Sequence, residues 1–125
     1  MKLVNVINFH EIETVFEFKY PPTFYAKFEE FIAFTETHAF RSQFPNAFLV
    51  STLDSVKSCY KIEKELKKIM IPFMFEPQLN HLDYYGFNRD GHTDELAVVV
   101  FAQHTIVHDW SGFETFFLWV QQRCR

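Results

Sequence analysis

Glycine is nearly missing from this chain: three residues in 125. A loop that cradles phosphates needs several backbone positions free of a Cβ, so the scarcity argues against a nucleotide-binding glycine loop. Cysteine is as rare. Cys59 and Cys124 show neither CxxC spacing nor histidines at zinc-finger intervals, and read as two unlinked thiols in a reducing compartment. No run approaches the ~20 apolar residues that span a bilayer. The opening "MKLVNVINFHEIETVF" carries acidic residues where a secretory leader needs an unbroken apolar stretch, so a cytoplasmic protein with no membrane contact is expected. Basic excess is absent too. A formal charge of −4 gives no surplus of lysine and arginine to displace phosphate counterions, which disfavours direct nucleic-acid binding. Repeats, low-complexity segments and linkers are also lacking, and residues 1–125 read as a single domain.

What the chain does have is apolar bulk. Hydrophobic residues make up 48% of it and 17 are phenylalanine, enough to bury a core without staples. "NFHEIETVFEF" begins with Asn8 and has Glu11 three residues on, a capping arrangement ahead of Ile12, Val15 and Phe16 at helical spacing. Pro21 and Pro22 interrupt, and Thr23 is a plausible N-cap for the next helix. Phe24, Phe28, Phe31 and Ile32 then follow at i, i+4, i+7 and i+8, opposite Lys27, Glu29 and Glu30. "AFRSQFPNAFLVS" reads as a loop entering a strand near Phe48–Ser51. Ser51 with Asp54 starts a further helix over "LDSVKSCYKIEKELKK", whose charged end, Lys61–Lys68, reads as a solvated face.

From there the character changes. "IMIPFMFE", "DYYGFN", "LAVVVFA" and "TIVHDW" are short apolar or β-branched stretches, with turn signals at Asp90-Gly91 and Gln103-His104. They predict consecutive antiparallel strands whose greasy face the helices must cover. "SGFETFFLWVQQRCR" closes the chain with a Ser111/Glu114 capping-box spacing and Phe113, Phe116, Phe117 and Val120 on one helical side, with Arg123 and Arg125 near its negative end. The expected fold is α+β: an antiparallel sheet of about five strands packed by N-terminal helices and a C-terminal helix.

Candidate chemistry is thin. His104 and His108 are four apart, a spacing that on a strand leaves them about 13 Å from each other on one face. Shared ligation at ~2 Å from each nitrogen would need a sharp bend, so no metal is expected, and His108 and Asp109 read as leading into the last helix. Ser42, Ser51, Ser55, Ser58 and Ser111 lack a G-x-S-x-G context, and pairing Cys59 with a distant histidine is an open but unspecific option. No catalytic residue and no cofactor are assigned. A small metal-dependent enzyme built on His104, His108 and Asp109 is the competing reading. The remaining feature is "EPQLNHLDYYGFNRDGHTDE", which mixes tyrosines with carboxylates. By alternation Asp83, Tyr85 and Phe87 share one sheet face, and Tyr84 and Gly86 the other. Tyrosine supplies contact area at small entropy cost and carboxylates supply steering, so this stretch is a candidate docking surface for a basic partner.

Several phrases in this order are familiar. "PPTFYAKFEEFI", "IMIPFMFE", "DYYGFN", "LAVVVF" followed by a histidine, and "WSGFETFFLWV" together resemble the SUKH superfamily, which includes bacterial immunity proteins against polymorphic toxins and fungal cell-wall regulators. The resemblance covers roughly Ile12 to Val120. The chain departs from the family pattern where Tyr20-Pro21-Pro22 replaces a Leu-Pro opening, and where "EPQLNHL" replaces a glycine-rich turn. The resemblance implies an α+β fold and a non-enzymatic immunity-type role, binding a cognate toxin such as a nuclease effector. Surface reasoning places the contact residues first at Glu76, Asp83, Tyr84, Tyr85, Asp90, Asp94 and Glu95. The alternative is a regulatory or scaffold module of the same fold that holds another partner, or forms a homodimer through surplus phenylalanines.

Overall fold

The apolar stripe at 24, 28, 31 and 32 and the one at 113, 116, 117 and 120 do form helices, and each buries its stripe. The computed structural model describes residues 9–16, 20, 24–50, 52–89 and 97–125. Among them α1 (Phe9–Phe16), α2 (Phe24–Thr35) and α3 (His38–Gln43) precede β1 (Phe48–Leu49). Then come α4 (Leu53–Ile62), α5 (Leu66–Ile69), β2 (Met70–Pro77), β3 (Leu82–Asn88), β4 (Val98–Ala102), β5 (Thr105–Trp110) and α6 (Phe113–Arg123). The five strands form one antiparallel sheet in the order β1-β2-β3-β4-β5, with helices before and after it in the chain: an α+β fold. No helix among the described residues is long and apolar enough to cross a membrane.

Side chains of directly paired residues point the same way, so the register sorts the two faces. Tyr85 meets Phe116 and Phe87 meets Phe113, which puts the Asp83–Tyr85–Phe87 side against α2 and α6. There Phe31 is enclosed by Phe73, Phe113, Phe116 and Phe117 at ring-centroid separations of 5.5–5.9 Å, mostly edge to face, the geometry that aromatic quadrupoles favour. Pro72 can sit inside β2 because the register shifts between Pro72 and Met74. A residue without an N–H is tolerated at such an irregularity, and Phe73 there packs into the helix layer.

The opposite face is covered as well, which the sequence reading did not anticipate. Tyr84 pairs with Phe75 on one side and Phe101 on the other, and is buried. Met70 lies against Gly86, and the Tyr60 hydroxyl donates to the Met70 carbonyl at 2.7 Å. Arg89 ties this layer together, donating to the Phe16 carbonyl at 2.9 Å and to the Lys67 carbonyl, where it satisfies helix-end acceptors with a cation.

Four local expectations change. Residues 39–43, read as loop, belong to α3, capped by the Thr37 hydroxyl accepting from the Phe40 N–H. The helix expected over 53–68 breaks at Glu63, whose backbone is extended. The reason lies in its buried face. Val56, Cys59 and Tyr60 are inside, and continuing that stripe by one and two turns would carry Glu63 and Lys67 into the core. Breaking the helix buries Leu66 instead, at 0% exposure. The α4 cap is Thr52 in a reciprocal bond with Ser55, and not Ser51, which lies outside the described residues, as do Asn8 and Thr23. At α6 the N-cap is Gly112 with no side-chain cap, so Ser111 falls one residue too early, and Glu114 faces Lys27 at 3.7 Å.

The core absorbs most of the phenylalanines. Among those whose side chains are described, only Phe48 is exposed.

Candidate functional site

One end of the sheet collects the polar groups. There β2 turns into β3 and β4 into β5, and the break between α4 and α5 lies alongside. Glu76 and Asp83 are direct partners across β2 and β3, on the face that also carries Tyr85. The Gln78 amide donates to Glu76 at 3.3 Å and to Asp83 at 3.0 Å, and His81 approaches Asp83 at 3.0 Å. Neither carboxylate forms an ion pair with a lysine or arginine among the described residues. Two like charges directly opposite on neighbouring strands oppose the fold. Burial pushes the Glu76 carboxyl above the usual carboxylate range, and the Asp83 charge adds to that, partly offset by the more distant Arg123.

The sign of the consequence follows. Glu76 holds its proton more tightly in the folded chain than in the unfolded one, so its ionised form weighs against the fold at neutral pH. The penalty is full above the folded pKa and fades as pH falls towards the ordinary carboxylate value. Glu76→Gln is therefore expected to raise the urea midpoint at pH 7, with the difference from wild type closing as the buffer is made acidic. A difference that stayed constant with pH would point to packing instead of charge.

Of the expected docking residues, the structure brings Glu76 and Asp83 together, both partly exposed. Tyr84 and Tyr85 are 3% and 6% exposed, so neither ring offers contact area. The cause is the double cover of the sheet: strand alternation sends each tyrosine into a packed layer. Asp90, Asp94 and Glu95 lie outside the described residues.

The histidines part company. His108 stacks on Trp110 at 4.1 Å and meets Trp119 edge-on, with nothing to share with His104. Gln103 and His104 form a two-residue turn between β4 and β5, both with positive φ, 50° and 71°. That turn carries His104 over the α4–α5 break, where its Nδ1 lies 2.5 Å from Glu65 and 3.8 Å from Glu63. The Glu65 hydrogen bond, with the charges of both glutamates behind it, holds the imidazole above its ordinary pKa. Spacing could not reveal this trio, because His104 and Glu65 are 39 residues apart.

Beneath them runs an open cleft of about 460 Å³, with Glu63, His81, Tyr84 and His104 in its wall. The Tyr84 hydroxyl is enclosed and has no hydrogen-bond partner among the described residues. Burial raises it to about 12, with Cys59 and Glu63 adding to the shift, so it stays protonated and remains a donor at neutral pH. Cys59 is buried and its thiol is pushed up to about 11, which leaves it a poor nucleophile near pH 7.

No family model matches this chain, and no curated protein or solved structure matches it.

Proposed function

We propose that the chain is a non-enzymatic, immunity-type protein that binds a cognate bacterial toxin, a nuclease effector first, and neutralises it. The observation that supports this reading best is the Glu76–Asp83 pair. Two carboxylates are held side by side, partly exposed, with no lysine or arginine paired to them among the described residues. The arrangement opposes the free fold. It becomes favourable when a partner supplies a cation, and the substrate groove of a nuclease is commonly basic. Leu79, 96% exposed at the tip of the same hairpin, provides an apolar contact beside the charges. The resemblance in the order of elements points the same way.

The test is co-expression with a toxin-like product of a neighbouring gene. The wild-type chain is expected to bind it one to one and restore growth of the host cell. The double variant Glu76→Lys, Asp83→Lys is expected to lose at least about tenfold in affinity, mostly through slower association that depends on salt. Equal rescue by the double variant would remove this surface from the interface. Absence of any binding to a neighbouring-gene product would end the immunity reading.

A further inference from the structure

Outside the Glu76–Asp83 pair, the chain has a second convergence of side chains that neither packing nor the proposed docking accounts for. We propose that Glu63, Glu65 and His104 form a binding site for one divalent transition-metal ion, zinc first, with the Tyr84 hydroxyl as donor to the ion's remaining ligand. Four observations carry it.

The three side chains each offer one ligand atom, and these atoms all lie within 4.8 Å of one another. Ligand atoms at tetrahedral corners about 2.0–2.1 Å from zinc stand roughly 3.3 Å apart. The observed separations from His104 Nδ1, 2.5 Å to Glu65 and 3.8 Å to Glu63, bracket that value. Opening the first, closing the second and drawing the two carboxylates together from within 4.8 Å admits an ion, and the exposed positions of His104 and Glu65 leave room for the adjustment.

The donor set also discriminates. One imidazole and two carboxylates suit zinc and its neighbours, whereas calcium takes six to eight oxygens and magnesium keeps most of its waters. Two carboxylates carry the charge that a doubly positive ion neutralises. Three protein ligands leave a fourth position open to water or to a small anionic ligand.

Tyr84 supplies the independent observation. A buried hydroxyl without a partner weighs against the fold and calls for an explanation. The ring is 3% exposed, lines the same cleft as Glu63 and His104, and lies in the field of the Glu63 carboxylate. A donor so placed is satisfied by a water or anion held on the ion, or by a Glu63 oxygen oriented through ligation. This is the kind of outer partner that metal sites use to fix their ligands.

The two segments come from distant parts of the chain: the break after α4 and the β4–β5 turn. An ion held between them would bind the folded chain and not the unfolded one, and so would stabilise the fold.

The experiment uses full-length protein purified without an affinity tag, stripped with a chelator and titrated with zinc chloride by calorimetry against a competing chromophoric chelator. Bound zinc of one equivalent per chain is expected, with a higher thermal midpoint in its presence. His104→Asn removes the imidazole while keeping a residue that tolerates positive φ, and Glu65→Gln removes one carboxylate. Both are expected to lose zinc binding while their metal-free melting curves match the wild type. Tyr84→Phe is expected to keep the stoichiometry and weaken affinity by about tenfold. A wild-type chain that takes up no zinc in this titration, or zinc that stays bound after His104→Asn, overturns the site. Unchanged affinity in Tyr84→Phe overturns the role given to Tyr84. Because the titration uses the isolated chain, its outcome is independent of whether a toxin partner exists.

Discussion

Phe31→Ala is expected to destabilise the chain by about 3–5 kcal/mol, the range for truncating a fully buried phenylalanine. Domains of this size are stable by roughly 5–15 kcal/mol, so a large share of the folded population is at stake. Phe31 has 0% exposure, and its ring meets Phe28 and Phe40 as well as the four rings supplied by β2 and α6. Alanine removes the shared wall of all these contacts, and a cage of rings anchored on three helices and a strand has little freedom to collapse inward. Equilibrium urea unfolding measures the loss. Phe31→Leu, which keeps most of the volume, should cost clearly less. A Phe31→Ala loss under about 1 kcal/mol would mean that the helix layer closes over the gap, contrary to this packing.

The second large effect is expected at Gly86, where two terms of opposite sign compete. Replacing glycine by alanine in a strand ordinarily stabilises by about 0.4–1 kcal/mol, because the unfolded chain has less freedom to lose. Here an added Cβ would stand 2.4 Å from the Met70 sulfur and 2.7 Å from the Ile71 carbonyl oxygen. The sulfur ends a flexible side chain and can move. The carbonyl belongs to the neighbouring strand, so β2 and β3 must part to make room. Overpacking of this kind costs about 1–3 kcal/mol, and the backbone contact places Gly86→Ala at the upper end, so destabilisation wins. Urea unfolding reads the sign, and hydrogen exchange reads the location, with β2 and β3 amides losing protection before those of α6. A variant as stable as wild type would mean that the two strands have slack at this point.

The elements with a strong period were legible before any coordinates. Phe24, Phe28, Phe31 and Ile32 sit on the buried side of α2, and Phe113, Phe116, Phe117 and Val120 on that of α6, as helical spacing required. The β3 alternation also held, with Tyr85 and Phe87 facing α2 and α6 and Tyr84 and Gly86 facing the other way. Local misreadings share one origin, since short-range signals compete with packing. Lys61–Lys68 looks like one solvated helical face, but Leu66 within it is fully buried, and the chain breaks at Glu63 to bury it. The Ser111/Glu114 spacing satisfies a capping pattern that the path out of β5 does not use.

The candidate site was half readable. Glu76 and Asp83 could be picked out as carboxylates in a tyrosine-bearing stretch. Their direct pairing depends on the register of β2 against β3. The burial of both tyrosines depends on layers from opposite ends of the chain closing on the two sides of the sheet, which no window of a few residues encodes. His104 was noticed for its neighbour His108, yet its partners are Glu63 and Glu65.

Composition and period, taken alone, determined that this chain folds as α+β and which side of its strongest helices and of β3 turns inward, because those choices are set by the 3.6- and 2-residue repeats of apolar side chains. Tertiary structure alone decided which polar groups stand together. Strand register placed Glu76 beside Asp83, and the β4–β5 turn set His104 over the α4–α5 break. Contacts between segments tens of residues apart are fixed by how layers pack, and no local repeat records them.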